Sequence, residues 1–268
     1  MITEQERTFY AQPATATQLE KYADLIDSLP DDPLLLAKVV RGLLIHDTEI
    51  DPNVPGSGER LKDRDIMTAE EILERILRLD SRPLNIERPI EKRMVGYCYT
   101  FTVLHTALLR AKGAPARARC GFVNYFDEGK WIDHWVTEYA SGNAWVLADA
   151  HTGRNNVTRD EFHDAGTAWS GCRSGQIEPS DYGIEQFHLW GWDELRGSLV
   201  NDLGALNKAE YGHWEWCDAL NIEDKTQPSD ELDKSLDLIA EATAGEAQFN
   251  KARQLFADRT DLHPPVRT

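Results

Sequence analysis

The chain has 268 residues and a formal net charge of −17, and it is long enough to bury a core without cross-links. Its acid excess is spread over stretches such as "DDP", "DEGKWID" and "SDELDKSLD". That pattern reads as a solvated acidic surface and argues against nucleic acid or an anionic membrane as partner, since both require a basic stripe. No run reaches the roughly eighteen apolar residues of a membrane span, and "MITEQERTFYAQPATATQLEKY" has no basic start followed by an apolar stretch, so a soluble cytoplasmic protein is expected.

In chain order, Thr17 with Glu20 and Thr68 with Glu71 fit the capping-box pattern and predict helices over 18–29 and 69–79. Between them "DPLLLAKVVRGLLIHD" reads as a mostly buried helix entered at Pro33, where proline has no amide hydrogen to lose. Residues 48–67 are rich in proline and glycine and form a predicted loop long enough to cover a cleft. "KRMVGYCYTFTVLHTALLRAKGAPAR" then sets Cys98 between a turn at Gly96 and a helix whose Phe101, Leu104, Leu108 and Ala111 recur at helical spacing until Gly113 and Pro115 stop it.

Three strand-like runs follow, "ARARCGFVNYF", "KWIDHWVTEYA" and "AWVLADA", separated by the turn signals "DEG" and "SGN". From about 158 the chain returns to loops and helices, with helices expected near 229–243 and 246–257 on either side of Gly245. One helix followed by an antiparallel meander predicts an α+β fold. No linker is evident, so the expectation is a single domain over 1–268, with a core at about 94–151, a helical part over 1–93 and an extension over 152–268.

The four cysteines, Cys98, Cys120, Cys172 and Cys217, are scattered and lack C-x-x-C spacing, which points to free thiols rather than a disulfide framework or a structural zinc site. Cys98 differs in its place. A thiol at a helix start meets the positive end of the helix dipole, which favours thiolate, and a cysteine nucleophile needs a histidine that a carboxylate orients.

A two-residue turn at Gly142-Asn143 supplies the geometry, because it pairs Ser141 with Ala144. His134, Val136, Glu138 and Ala140 then share a face with Trp145, Leu147, Asp149 and His151. His134 and Asp149 lie diagonally, about 7–8 Å apart at the backbone, and a three-residue loop would put them on opposite faces. On the residues alone, two readings stand: a Cys98, His134, Asp149 triad, or a buried thiol beside two polar groups of a half-exposed sheet.

"GYCYTFTVLHTALLRAKGAPAR", "DHWVTEYA" and "WVLADA" together resemble the transglutaminase-like superfamily of papain-related folds, over about residues 94 to 151. The resemblance implies that Cys98 is a nucleophile, His134 a general base and then acid, and Asp149 the group that orients the imidazole. "SGCRSG", "DYGI" and "LWGWDELRGSLVNDLGALNKAEYGHWEW" resemble the carboxy-terminal part of bacterial transglutaminase-domain proteins. Tyr99 departs from the pattern, since relatives commonly carry an acidic or small polar residue there. The β-domains of calcium-dependent animal transglutaminases have no counterpart, and there is no D-x-D-x-D-G loop, so neither metal nor cofactor is expected.

The expected activity is a cysteine amide or ester hydrolase or acyltransferase working through a thioester on Cys98, with hydrolysis favoured. Its substrate would be an amide- or amine-bearing small molecule, peptide or protein. The rival readings are a catalytically degenerate binding or scaffold module and an arylamine N-acetyltransferase, whose arginine-glycine-glycine run is replaced here by "RMVGYC".

Other residues have milder expectations. His151 is an alternative base or a strand end, His105 a packed histidine, Glu138 a salt-bridged group or a substrate contact, and Cys120, Cys172 and Cys217 structural thiols. Arg173, Asp181 and Arg196 are candidate polar contacts for substrate. The tryptophan clusters "HLWGW" and "HWEW" suit a core or an oligomer contact.

Overall fold

The computed structural model of the protein describes residues 1–54, 56–210, 220 and 230–263. These residues form two compact units, one of Met1–Ala118 with Val136–Val157 and the other of Arg119–Trp135 with Thr158–Thr268. The fold is α+β, as expected. Of residues 94–151, 94–118 and 136–151 fall in the first unit and 119–135 in the second.

In the first unit, α1 (Glu4–Ala11) and α2 (Ala23–Asp27) precede α3 (Pro33–Leu43), which runs directly into β1 (Leu44–His46). Asp32 caps α3 by accepting from the amides of Leu34 and Leu35, each at 2.9 Å, satisfying donors that the helix leaves orphaned. The helix stops earlier than the apolar run predicts. Leu44, Ile45 and His46 instead pair in parallel with Met94, Val95 and Gly96 of β2 (Met94–Gly96), so tertiary pairing overrides a helical propensity that is only a weak prior.

Thr17 is a second departure. It closes a short 3-10 turn rather than capping a helix, because its hydroxyl serves Ala14 N at 3.0 Å and Arg110 Nη1 at 2.8 Å. The predicted 48–67 loop also carries the short α4 (Ser57–Leu61). Thr68 does cap α5 (Ala69–Leu79) as expected, and this helix buries Ile72, Leu73 and Ile76.

α6 (Cys98–Ala111) is buried from Cys98 through Arg110, with α3 and α5 packed on it. The strands β3 (Ala116–Val123), β4 (Trp131–Ser141), β5 (Ala144–Asp149) and β6 (Arg154–Val157) follow. β5 lies between β4 and β6, and β3 and β4 each pass through both units. The β4–β5 ladder has the predicted register, Ser141 opposite Ala144 through Thr137 opposite Ala148. Gly142 takes φ 57° at the turn, where a side chain is disfavoured. Arg7 of α1 pins that turn by donating to Gly142 O and Asn143 Oδ1.

Arg117 and Glu138 form a fully buried ion pair at 2.6 Å, with the guanidinium 4.1 Å from the Trp145 ring centroid. Glu138 is thus committed to Arg117 instead of being open to a substrate amine.

The second unit carries β7 (Phe162–Asp164), α7 (Ala165–Arg173), β8 (Tyr182–Ile184), β9 (Leu189–Trp190), α8 (Trp192–Leu206), α9 (Asp230–Thr243) and α10 (Phe249–Asp258). Its core contains Phe122, Trp169, Tyr182, Leu195, Leu199 and Ile239. Two buried arginines brace it. Arg119 forms a bidentate pair with Asp202, 2.9 Å at each oxygen, and donates to the carbonyls of Thr243 and Gly245 at 2.8 and 2.9 Å.

Arg196 pairs with Asp233 at 2.9 and 3.3 Å, and Arg173 with Asp237 at 2.9 and 3.1 Å. Asp181 receives Lys130 at 2.9 Å. All three candidate substrate contacts are therefore tied into ion pairs that brace this unit. "HLWGW" forms β9 and the start of α8, whereas "HWEW" and Cys217 lie outside the described residues.

Candidate active site

Cys98 is the first residue of α6 and is buried, at the helix end where backbone amides and the dipole favour negative charge on sulfur. The glycine two residues before it answers to crowding. A Cβ at Gly96 would lie 2.7 Å from Thr100 Cβ, so glycine lets the strand and the first helical turn approach closely. Tyr99 donates its hydroxyl to Met67 O at 3.1 Å.

Asp149 ends β5 and is almost wholly buried. Its Oδ1 accepts from the amides of His151 and Thr152 at 2.9 and 3.2 Å, and its Oδ2 accepts from Thr152 Oγ1 at 2.6 Å. Three donors fix the carboxylate. The β4–β5 ladder ends with Thr137 opposite Ala148, and Asp149 follows Ala148 as Val136 precedes Thr137. His134 stands two residues before Val136 on the unbroken strand β4 and, by alternation, on the same strand face. Its buried ring is edge-on to Phe126, with centroids 5.0 Å apart.

The sequence reading missed His46. β1 sets it opposite Gly96, two residues from Cys98. Its Nδ1 lies 2.8 Å from Thr48 Oγ1 and 3.1 Å from Asp47 Oδ1, and Asp47 Oδ2 accepts from Arg64 Nη1 at 3.0 Å. Burial pulls the imidazole down, but hydrogen bonds to Asp47 and to Cys98, together with their negative charges, outweigh it and push His46 up to about 9. The signal lay in "LLIHD", where a His-Asp pair ends an apolar run. Reading that run as one helix concealed a strand aimed at the "MVG" preceding the cysteine.

His151 lies just past β5 and stacks on His46, with ring centroids 4.2 Å apart and planes 20° apart; its Nε2 is 3.8 Å from Glu49. His105 is fully buried and shares a 2.9 Å hydrogen bond with Pro33 O. Burial pushes it down to about 4 against the opposing pulls of Pro33 O and the Asp149 charge, so it is a neutral packing residue. Cys120 and Cys172 are buried thiols outside any disulfide, and burial pushes Cys172 up to about 12.

Residues 78–150 match the family model described as transglutaminase-like superfamily. No curated protein is similar enough to the chain to count as a match. Among solved structures, a protein from Cytophaga hutchinsonii described as a candidate cysteine protease is 18% identical with a TM-score of 0.39, over 61% of this chain and 46% of that one. The chain thus spans less than half of that relative. Residues 94–149, which build β2, α6 and the β3–β5 meander, lie within the stretch that is similar to the transglutaminase-like superfamily model.

Proposed function

We propose that the protein is a cysteine-dependent hydrolase or acyltransferase in which Cys98 is the nucleophile, His134 the general base and acid, and Asp149 the residue that orients His134. The observation that carries this reading is the β4–β5 register, because a turn longer by one residue would turn His134 and Asp149 to opposite faces. The placement of Cys98 at the head of a buried helix supports the same assignment.

The Cys98 thiolate attacks the carbonyl carbon of an amide or ester. A sulfur–carbon bond forms and the carbonyl π pair moves to oxygen, where the Cys98 amide stabilises it. Collapse of this adduct breaks the bond to the leaving amine or alcohol, which takes its proton from His134. Water activated by His134 then cleaves the thioester, and the acid departs with Cys98 regenerated. An amine in place of water gives acyl transfer. Hydrolysis is favoured, since water releases the acid without requiring a second binding site.

Labelling with sub-stoichiometric iodoacetamide near neutral pH tests the nucleophile, with modified peptides mapped by mass spectrometry. Alkylation is expected at Cys98 ahead of Cys172, whose thiol is raised to about 12 and is almost wholly protonated at that pH, and ahead of Cys120, which is fully buried. Equal labelling of the three, or none at Cys98, would sink the enzyme reading. Capture of an acyl-protein that His134→Ala no longer forms, followed by competition between water and added amines, decides the reaction.

A further inference from the structure

We propose that His46, carried by β1 and braced by Asp47, is a second imidazole of the catalytic centre, whose positive charge holds Cys98 as thiolate before substrate arrives. The inference rests on the reading of Cys98 as nucleophile and assigns the group that keeps it ionised.

Its basis is geometric. The parallel pairing of β1 with β2 fixes His46 level with Gly96, two residues before Cys98 at the head of α6. Its far edge meets Thr48 Oγ1 at 2.8 Å and Asp47 Oδ1 at 3.1 Å, while one ring face is covered by His151 at 4.2 Å. Phe101 of α6 lies 6.4 Å from the ring centroid. A ring held on these sides has little freedom to swing away from the sulfur.

The charged and titratable groups that face His46 are mostly negative. Asp47 lies beside the ring, Glu49 accepts from the His46 amide at 3.3 Å, and Cys98 faces it from α6. His151 stacks on the ring, and Arg64 acts through its contact with Asp47. An imidazole between a carboxylate and a sulfur keeps its proton, in agreement with the rise to about 9.

This fixed proton separates the roles of the two histidines. A histidine that stays protonated cannot accept the proton of an attacking group, so proton transfer falls to His134. His46 acts by charge alone, lowering the cost of the thiolate. It is therefore a positioning and electrostatic residue, one that sets the pH range over which the nucleophile exists.

The test is the pH profile of Cys98 alkylation in the full-length protein, with iodoacetamide as probe, for the parent, His46→Gln and Asp47→Asn. In the parent the profile should have its midpoint below the ordinary thiol value of about 8.5. His46→Gln should move the midpoint up by at least about one pH unit, which is roughly a tenfold loss of alkylation rate on the acid side. Asp47→Asn should shift it in the same direction by less.

Because His46→Gln could disturb folding, a second measurement uses NMR of the imidazole in the parent and in Cys98→Ser. His46 should titrate near 9 in the parent and lower once sulfur is gone. An unchanged alkylation profile in folded His46→Gln, or a His46 midpoint indifferent to residue 98, would overturn the proposal. Neither readout requires a substrate. A His46-dependent thiolate in a protein that never forms an acyl adduct would support this inference while overturning the proposed reaction.

Discussion

His46 and His105 belong to the same unit, yet their surroundings push them in opposite directions, to about 9 and about 4. His46 gains anionic partners on folding, so its contribution to stability is fully present below the unfolded value of about 6.5 and is lost as pH rises toward 9. His105 is buried neutral, so its contribution is present above about 6.5 and is lost as pH falls toward 4. Thermal unfolding across pH 4–9 should therefore show an alkaline limb that His46→Gln flattens and an acid limb that His105→Gln flattens. Limbs that persist unchanged in both variants would assign the pH dependence to other groups.

The helices and strands of the site show which features could be read from residues alone. Gly96→Ala drives a methyl group against Thr100, whose Cβ lies at 2.7 Å from its position. Overpacking of this kind costs about 1–3 kcal/mol, and denaturant melts should show it together with slower Cys98 alkylation, as the first turn of α6 shifts. Asp32→Ala, which removes the cap at the end of α3 opposite β1, should cost about 1 kcal/mol and leave the labelling rate intact.

The β4–β5 hairpin was legible because "SGN" admits few turns and alternation then dictates every partner. The start of α6 was legible from Gly96 and the helical spacing after Cys98. β1 was not, because "LLIH" has no polar alternation and only its parallel partner Met94–Gly96, about fifty residues on, makes it a strand. The misplaced cap at Thr17 has a similar origin: its hydroxyl belongs to Arg110, a residue ninety-three positions away, which no local pattern announces.

For the whole molecule, the buried ion pairs matter more than the acidic exterior. Arg119→Leu would leave Asp202 buried without its guanidinium and would strip donors from the carbonyls of Thr243 and Gly245. Burial already pushes the Asp202 carboxyl up, and the Arg119 charge and hydrogen bonds oppose that rise. Breaking one partner of such a pair costs about 3–5 kcal/mol. The loss should appear as a lower midpoint in chemical denaturation, and a melt indistinguishable from the parent would show that the pair contributes nothing. Among the described residues no helix is long and apolar enough to cross a membrane.

The interleaving of the two units also bears on biosynthesis. Residues 119–135 leave the ribosome before 136–157, yet the earlier stretch belongs to the later-finished unit. The amino-terminal unit therefore cannot be completed until residue 157 has emerged. Nascent chains arrested before that point should remain open to protease across α6, and those arrested shortly after it should begin to resist.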